Sequence, residues 1–137
     1  MSSAKQVLAR RKERQAFARG MRQFNARQFW HAHESWEAIW LVASLPEKTF
    51  LQGIIQISAA FYHHQRKNLT GARSLLRRGL EKIEGFPADH RGLRIENLRR
   101  SVRDWLDDLE RGGACARRRY PRLARTSSPQ PLTAVRR

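Results

Sequence analysis

The stretch Phe50-Leu51-Gln52-Gly53-Ile54-Ile55-Gln56-Ile57-Ser58-Ala59-Ala60-Phe61-Tyr62 decides the fold. At 3.6 residues per turn, Leu51, Ile54, Ile55, Ile57 and Phe61 spread over several sides of one helix. A helix apolar on several sides is covered from several directions, so it marks the centre of a helical protein. It is too short, and too interrupted by Gln52 and Gln56, for a membrane span, which needs roughly 20 apolar residues. One narrow stripe runs against this pattern: Gln52, Gln56, Ala60 and His63. Polar groups on a buried helix need polar partners.

The candidate partner lies immediately upstream. Ser44-Leu45-Pro46-Glu47 reads as the start of this central helix, with Ser44 as cap and Pro46 tolerated in the first turn. The helix then runs to about Lys67. Before it, residues 28–43 predict a helix with Phe29, His33, Trp36, Glu37 and Trp40 on one side. His31, Glu34, Ser35 and Ala38 fall on the other. His33 and Glu37 are four residues apart and hence neighbours on an aromatic face. An ionisable pair buried there costs free energy unless it is paired, hydrogen-bonded or coordinated. The second and third helices are therefore expected to enclose His33, Glu37, Gln52, Gln56 and His63, with Trp36 and Trp40 beside them.

Farther out, residues 5–24 predict a helix with Val7, Leu8, Phe17, Met21 and Phe24 on its apolar stripe, ended by a turn at Asn25-Ala26-Arg27. Asn68 precedes a fourth helix over 69–84, with Ala72, Leu75, Leu76, Leu80 and Ile83 inward, and Gly85-Phe86-Pro87 breaks it. A fifth covers 93–111, with Ile95, Leu98, Val102, Trp105, Leu106 and Leu109 on one face. Short links between these segments predict an all-α, antiparallel bundle of about five helices in one domain, 1–111. The helix pairs, with Gly20, Ala32 and Trp36, also loosely suit tetratricopeptide spacing, without a clean second repeat. Residues 112–137, rich in Arg, Ser and Pro and without a periodic apolar face, are expected to form a disordered basic tail dispensable for folding.

The formal net charge is +16, with 28 Lys plus Arg against 12 Asp plus Glu. Residues 112–137 carry seven Arg and no acid. Such a balance suits either solvated helix faces or a nucleic-acid partner held through the basic surface and tail. The single cysteine, Cys115, excludes an internal disulfide and a cysteine-rich zinc site, and fits a cytoplasmic protein. The basic N-terminus lacks an apolar core, so it does not read as a secretory signal. Ser44, Ser58 and Cys115 have no evident activating base. No Gly-rich phosphate loop is present. His31 and His64 lie off the polar stripe and are expected at the surface, while Trp30, Trp36 and Trp40 read as packing residues.

Two readings of the polar cluster stay open. In one, His33 and Glu37 form a buried hydrogen-bonded pair completed by the glutamines. In the other, His33, Glu37 and His63 ligate a divalent metal such as zinc, with water in an open position. His33-Glu34-Ser35-Trp36-Glu37 is not a metalloprotease helix, because the second His is missing and Glu34 points away from the face.

Phe24-Asn25, His33-x-x-x-Glu37-x-x-Trp40, Phe50-Leu51-Gln52-Gly53-x-x-Gln56 and Asn68-x-x-Gly71-Ala72 together resemble the prokaryotic family catalogued as domain of unknown function 309. The resemblance spans roughly residues 10–85. It implies a small helical bundle. It also implies a site at His33, Glu37 and Trp40, an element suggested to bind metal but with no established activity. Where the pattern tends to continue with a second aromatic residue, this chain has Leu41. The resulting expectation is a cytoplasmic helical protein of uncharacterised function that binds a metal ion or small ligand. If it is an enzyme, metal-assisted hydrolysis with Glu37 or Glu34 as base is the least forced chemistry. The alternatives are a non-enzymatic interaction module with a protein partner in a tetratricopeptide-like groove, and a nucleic-acid-associated basic protein.

Overall fold

The structure is a computed structural model that describes residues 3–126. The chain is all-α, with helices α1 (Ala4–Asn25), α2 (Phe29–Trp40), α3 (Glu47–Gln65), α4 (Leu69–Ile83) and α5 (Ile95–Glu110). No helix among the described residues is long and apolar enough to cross a membrane. Each helix packs on the next in sequence, giving the expected antiparallel bundle. α3 is central: Phe50, Leu51, Ile54, Ile57, Ala60 and Phe61 are essentially sealed from solvent. Covering all its sides takes α2, α4 and the end of α5, where Trp105 meets Phe61 edge to face.

Local chemistry sets the helix ends. Ser3 and Gln6 cap α1 reciprocally, satisfying donors that have no partner inside the helix. Asn68 accepts from the Gly71 amide at 3.0 Å and so starts α4. α3 begins later than the Ser44 cap suggested. Its first residue is Glu47, and Pro46 precedes it without a side-chain cap. α2 stops at Trp40, three residues short of its expected end. Gly20 lets α1 and α2 approach closely, since a Cβ there would lie 2.2 Å from the indole nitrogen of Trp36. That nitrogen donates to the Phe17 carbonyl at 3.2 Å, so Trp36 is tied into the core.

Two features depart from expectation. A two-stranded hairpin, β1 (Asp89–His90) and β2 (Leu93–Arg94), precedes α5. Its turn places Arg91 and Gly92 at positive φ, and strands of two residues are too short to show an alternating pattern. The second departure is the expected tail. Residues 112–126 are not disordered but form a strap across the bundle. Cys115 and Leu123 are buried, and Tyr120 stacks on Trp105 while touching Phe29 and Phe61. The Asn25 side chain clamps Leu123: its amide donates to the Leu123 carbonyl at 3.1 Å and its carbonyl accepts from the Leu123 amide at 2.7 Å. Arg94 donates its amide to Ala124 and Thr126 to Gly92, adding the strap to the hairpin edge. The strap's apolar anchors Cys115, Tyr120 and Leu123 are five and three residues apart, a spacing that sustains neither a helical nor an alternating repeat, so no periodic pattern announces them. The remainder of the expected tail, 127–137, lies outside the described residues.

Candidate functional site

The α2–α3 seam holds most of the residues singled out above. Its register is antiparallel. Ser58 donates to the Phe29 carbonyl at 2.6 Å, Tyr62 packs on Trp30 at 5.0 Å, and Lys48 lies over the Trp40 ring at 4.5 Å. Each step up α2 is thus a step down α3. Gln56 falls level with His33, and Gln52 with the turn carrying Trp36 and Glu37. His63 falls near the α1–α2 turn, about two helical turns away from that level, or roughly 10 Å at 1.5 Å per residue.

That offset separates the proposed metal ligands. The ring contacts run in a row from His33 to Trp30 at 4.5 Å, from Trp30 to Tyr62, and from Tyr62 to His63 at 5.7 Å. His63 instead receives a hydrogen bond from the Asn68 side chain at 3.3 Å. Glu37 is exposed rather than buried, while His33 is half-buried. Among the described residues no three His, Cys, Asp or Glu side chains group to hold one ion. The structure therefore does not bring His33, Glu37 and His63 together. A helix face derived at 100° per residue fixes direction around the axis but not height along a neighbour, and height is what places His63 elsewhere.

What the seam does collect is unpartnered polarity. The Nδ1 of His33, the Oε1 of Gln56 and the indole Nε1 of Trp40 are buried without a hydrogen-bond partner. All three belong to α2 or α3, and His33 and Gln56 stand at the same level. Trp40 is half-buried, with Lys48 over its ring, and stands two helical turns along α2 from His33, roughly 10 Å at 1.5 Å per residue. Gln52 is half-buried between these levels. The stacked Trp30 ring, 42% exposed, flattens one side of His33 against the outer end of the seam. The set offers one N–H donor, one carbonyl acceptor and one imidazole nitrogen able to play either role. Glu37 adds a carboxylate at the rim.

His31, His64, Cys115 and Glu47 are engaged elsewhere. His31 is a surface residue within 3.7 Å of Glu34. His64, expected at the surface, is half-buried and uses both ring nitrogens, at 2.7 Å each, on the Tyr120 hydroxyl and the Ala114 carbonyl. Only the strap reveals that role. Burial, reinforced by the neighbouring Asp108 carboxylate, pushes the Cys115 thiol up to about 12. It is no nucleophile at neutral pH. Glu47 is shared by His90 at 2.8 Å and Arg91 at 2.7 Å, tying α3 to the hairpin.

No curated protein matches the chain. Residues 17–75, from the middle of α1 to the middle of α4 and including the whole seam, match the family model described as Domain of unknown function (DUF309), and over that segment the chain resembles this family.

Proposed function

We propose that the protein binds an elongated polar ligand along the α2–α3 seam, contacted by His33 and Gln56 at one level and by Trp40 about two helical turns, roughly 10 Å, further along α2, with Glu37 at the rim. The observation that carries this reading is the set of three buried polar atoms without partners on one seam. Each such atom costs about 1–3 kcal/mol when left unsatisfied. A helix pair selected for stability alone would place apolar groups there. A ligand carrying both donors and acceptors would recover that cost on binding.

A zinc ion is a narrower version of the same proposal. It would draw on His33 and Glu37, neighbours on α2, and take its remaining ligands from water or from the bound molecule. His63 has no part in it. The protein works as a binding module in this reading, and no catalytic step is assigned to it.

The test follows the indole N–H resonance of Trp40 by NMR while the full chain is titrated with zinc chloride and with a panel of elongated polar metabolites. A binder should move that resonance and raise the melting temperature. His33→Ala should abolish both effects without unfolding the protein. A zinc response lost in Glu37→Gln identifies the metal version, whereas a metabolite response that survives Glu37→Gln identifies the ligand version. If no compound or ion moves the Trp40 resonance, the seam is structural and the proposal fails.

A further inference from the structure

The N-terminal half of α1 and the α2–α3 link carry apolar surface that the bundle leaves uncovered. Five large apolar side chains there are about half exposed or more: Val7, Leu8, Leu41, Val42 and Leu45, at 47, 49, 65, 81 and 74%. Three of them sit in the α2–α3 link and two on the N-terminal half of α1. The sequence placed Val7 and Leu8 on the inward stripe of α1. α2 ends at Trp40, however, and residues 4–15 of α1 are exposed apart from half-buried Glu13. Between the two helices runs a groove of about 490 Å³ whose apolar floor includes Ala9, Ala16, Ala38, Ile39 and Val42. Exposed apolar residues gathered at one place, with a polar rim, mark an interaction surface.

Charge identifies the occupant. Lys12 and Arg19 flank the groove, and Lys5, Arg10, Arg11 and Arg14 extend the positive field along α1. The one acid of α1, Glu13, also lines the groove but pairs with Arg91 at 3.6 Å and so is partly neutralised. A second copy of this chain would bring one basic α1 against another, which repulsion opposes. Single-stranded nucleic acid relies on aromatic platforms for its bases, and the groove floor is aliphatic. A flat membrane surface does not fill a concave groove. We propose that the α1–α2 groove docks an amphipathic helix of a partner protein, with aliphatic residues against Ile39 and Val42 and acidic residues toward Lys12 and Arg19. This site is separate from the α2–α3 seam and does not depend on it.

The experiment is a selection on the immobilised full chain with a displayed library of random 16-residue peptides, about 24 Å long as helices. Enriched peptides should carry Leu, Ile or Phe at i, i+3 or i+4, and i+7, with Asp and Glu elsewhere. Synthesised and measured by fluorescence anisotropy, they should lose at least about tenfold in affinity to Val42→Asp, as expected when a central apolar contact is removed. Lys12→Glu should weaken them about threefold and flatten the salt dependence of binding. Both positions are exposed, so circular dichroism should report unchanged folding. The absence of enrichment, enriched peptides without the acidic amphipathic pattern, or equal affinity for Val42→Asp would each overturn the proposal. A single-stranded RNA oligonucleotide that displaces every selected peptide from the groove would overturn it in favour of nucleic acid.

Discussion

The strap and the seam treat polar groups in opposite ways. Under the strap, His64 uses both ring nitrogens, and Asn25 uses both its amide and its carbonyl. At the α4–α5 junction, Arg99 likewise satisfies the Ile83 and Phe86 carbonyls at 2.7 Å each while pairing with Glu96. In the seam, three buried polar atoms have no partner. Both regions are built of histidine, tryptophan and amide side chains, so composition does not separate them. A closed hydrogen-bond network stabilises one conformation. An open one lowers stability and keeps its capacity for something else. On the function proposed above, the strap holds the fold and the seam binds.

The sharpest way to break this comparison is to remove the strap. Truncation after Arg111 strips Tyr120, Cys115 and Leu123 from the core and uncovers Phe29, Phe61 and Trp105. With about 1.5–3 kcal/mol for each large apolar side chain taken from water, the loss should reach about 5 kcal/mol. Thermal denaturation should record it as a fall of about 15 °C or more. A melting temperature within a few degrees of the full chain would return residues 112–126 to the status of a dispensable tail.

A smaller effect should appear in alkali. Burial first, and then the Asp108 carboxylate, raises the Cys115 thiol from 9.0 to about 12, and burial raises the Tyr120 phenol. Both groups are held in their neutral forms. The stability they contribute is fully present below the ordinary thiol value and is lost as pH rises from about 9 through about 12. The melting temperature should therefore fall between pH 8 and pH 10.5 by more in the full chain than in the chain cut after Arg111. An equal fall in both would show that the strap is not where the protons are lost.

The smallest effect belongs to the seam, and its sign is the informative part. Gln56→Leu replaces an unpartnered buried acceptor with a side chain of similar size. Its effect on chemical denaturation should lie between neutral and a gain of about 1 kcal/mol. A loss of more than about 2 kcal/mol would mean that Gln56 completes a structural network, and the contrast with the strap would disappear.

Much of this fold was legible in the amino-acid order. The face predicted for α5 is buried from Ile95 to Leu109, and Ala72, Leu76 and Ile83 of α4 are buried as well. Those faces were visible because each repeats over three or more turns, and a repeating pattern survives small errors in boundaries. The N-terminal half of α1 was read wrongly by the same rule. Val7 and Leu8 continue the apolar stripe, but no neighbouring helix is long enough to cover them. Of the candidate site, His33 stands on α2 and Gln52 and Gln56 on α3, two helices that pack together, and Trp36 is buried in the core. Glu37 was expected inside and is exposed. His63 was expected beside His33 and lies beyond Trp30 and Tyr62.

The order of residues by itself determined which segments coil and which side of each turns inward, because periodicity and capping act within a few residues of one another. Only the tertiary structure decided the height at which α3 slides against α2, the closure of residues 112–126 over Trp105, and the gap left where α2 ends before α1 does. Those outcomes depend on contacts between residues tens of positions apart, such as Ser58 with Phe29 and Leu123 with Asn25. Their geometry is set when whole faces pack to exclude water, and no local pattern encodes it.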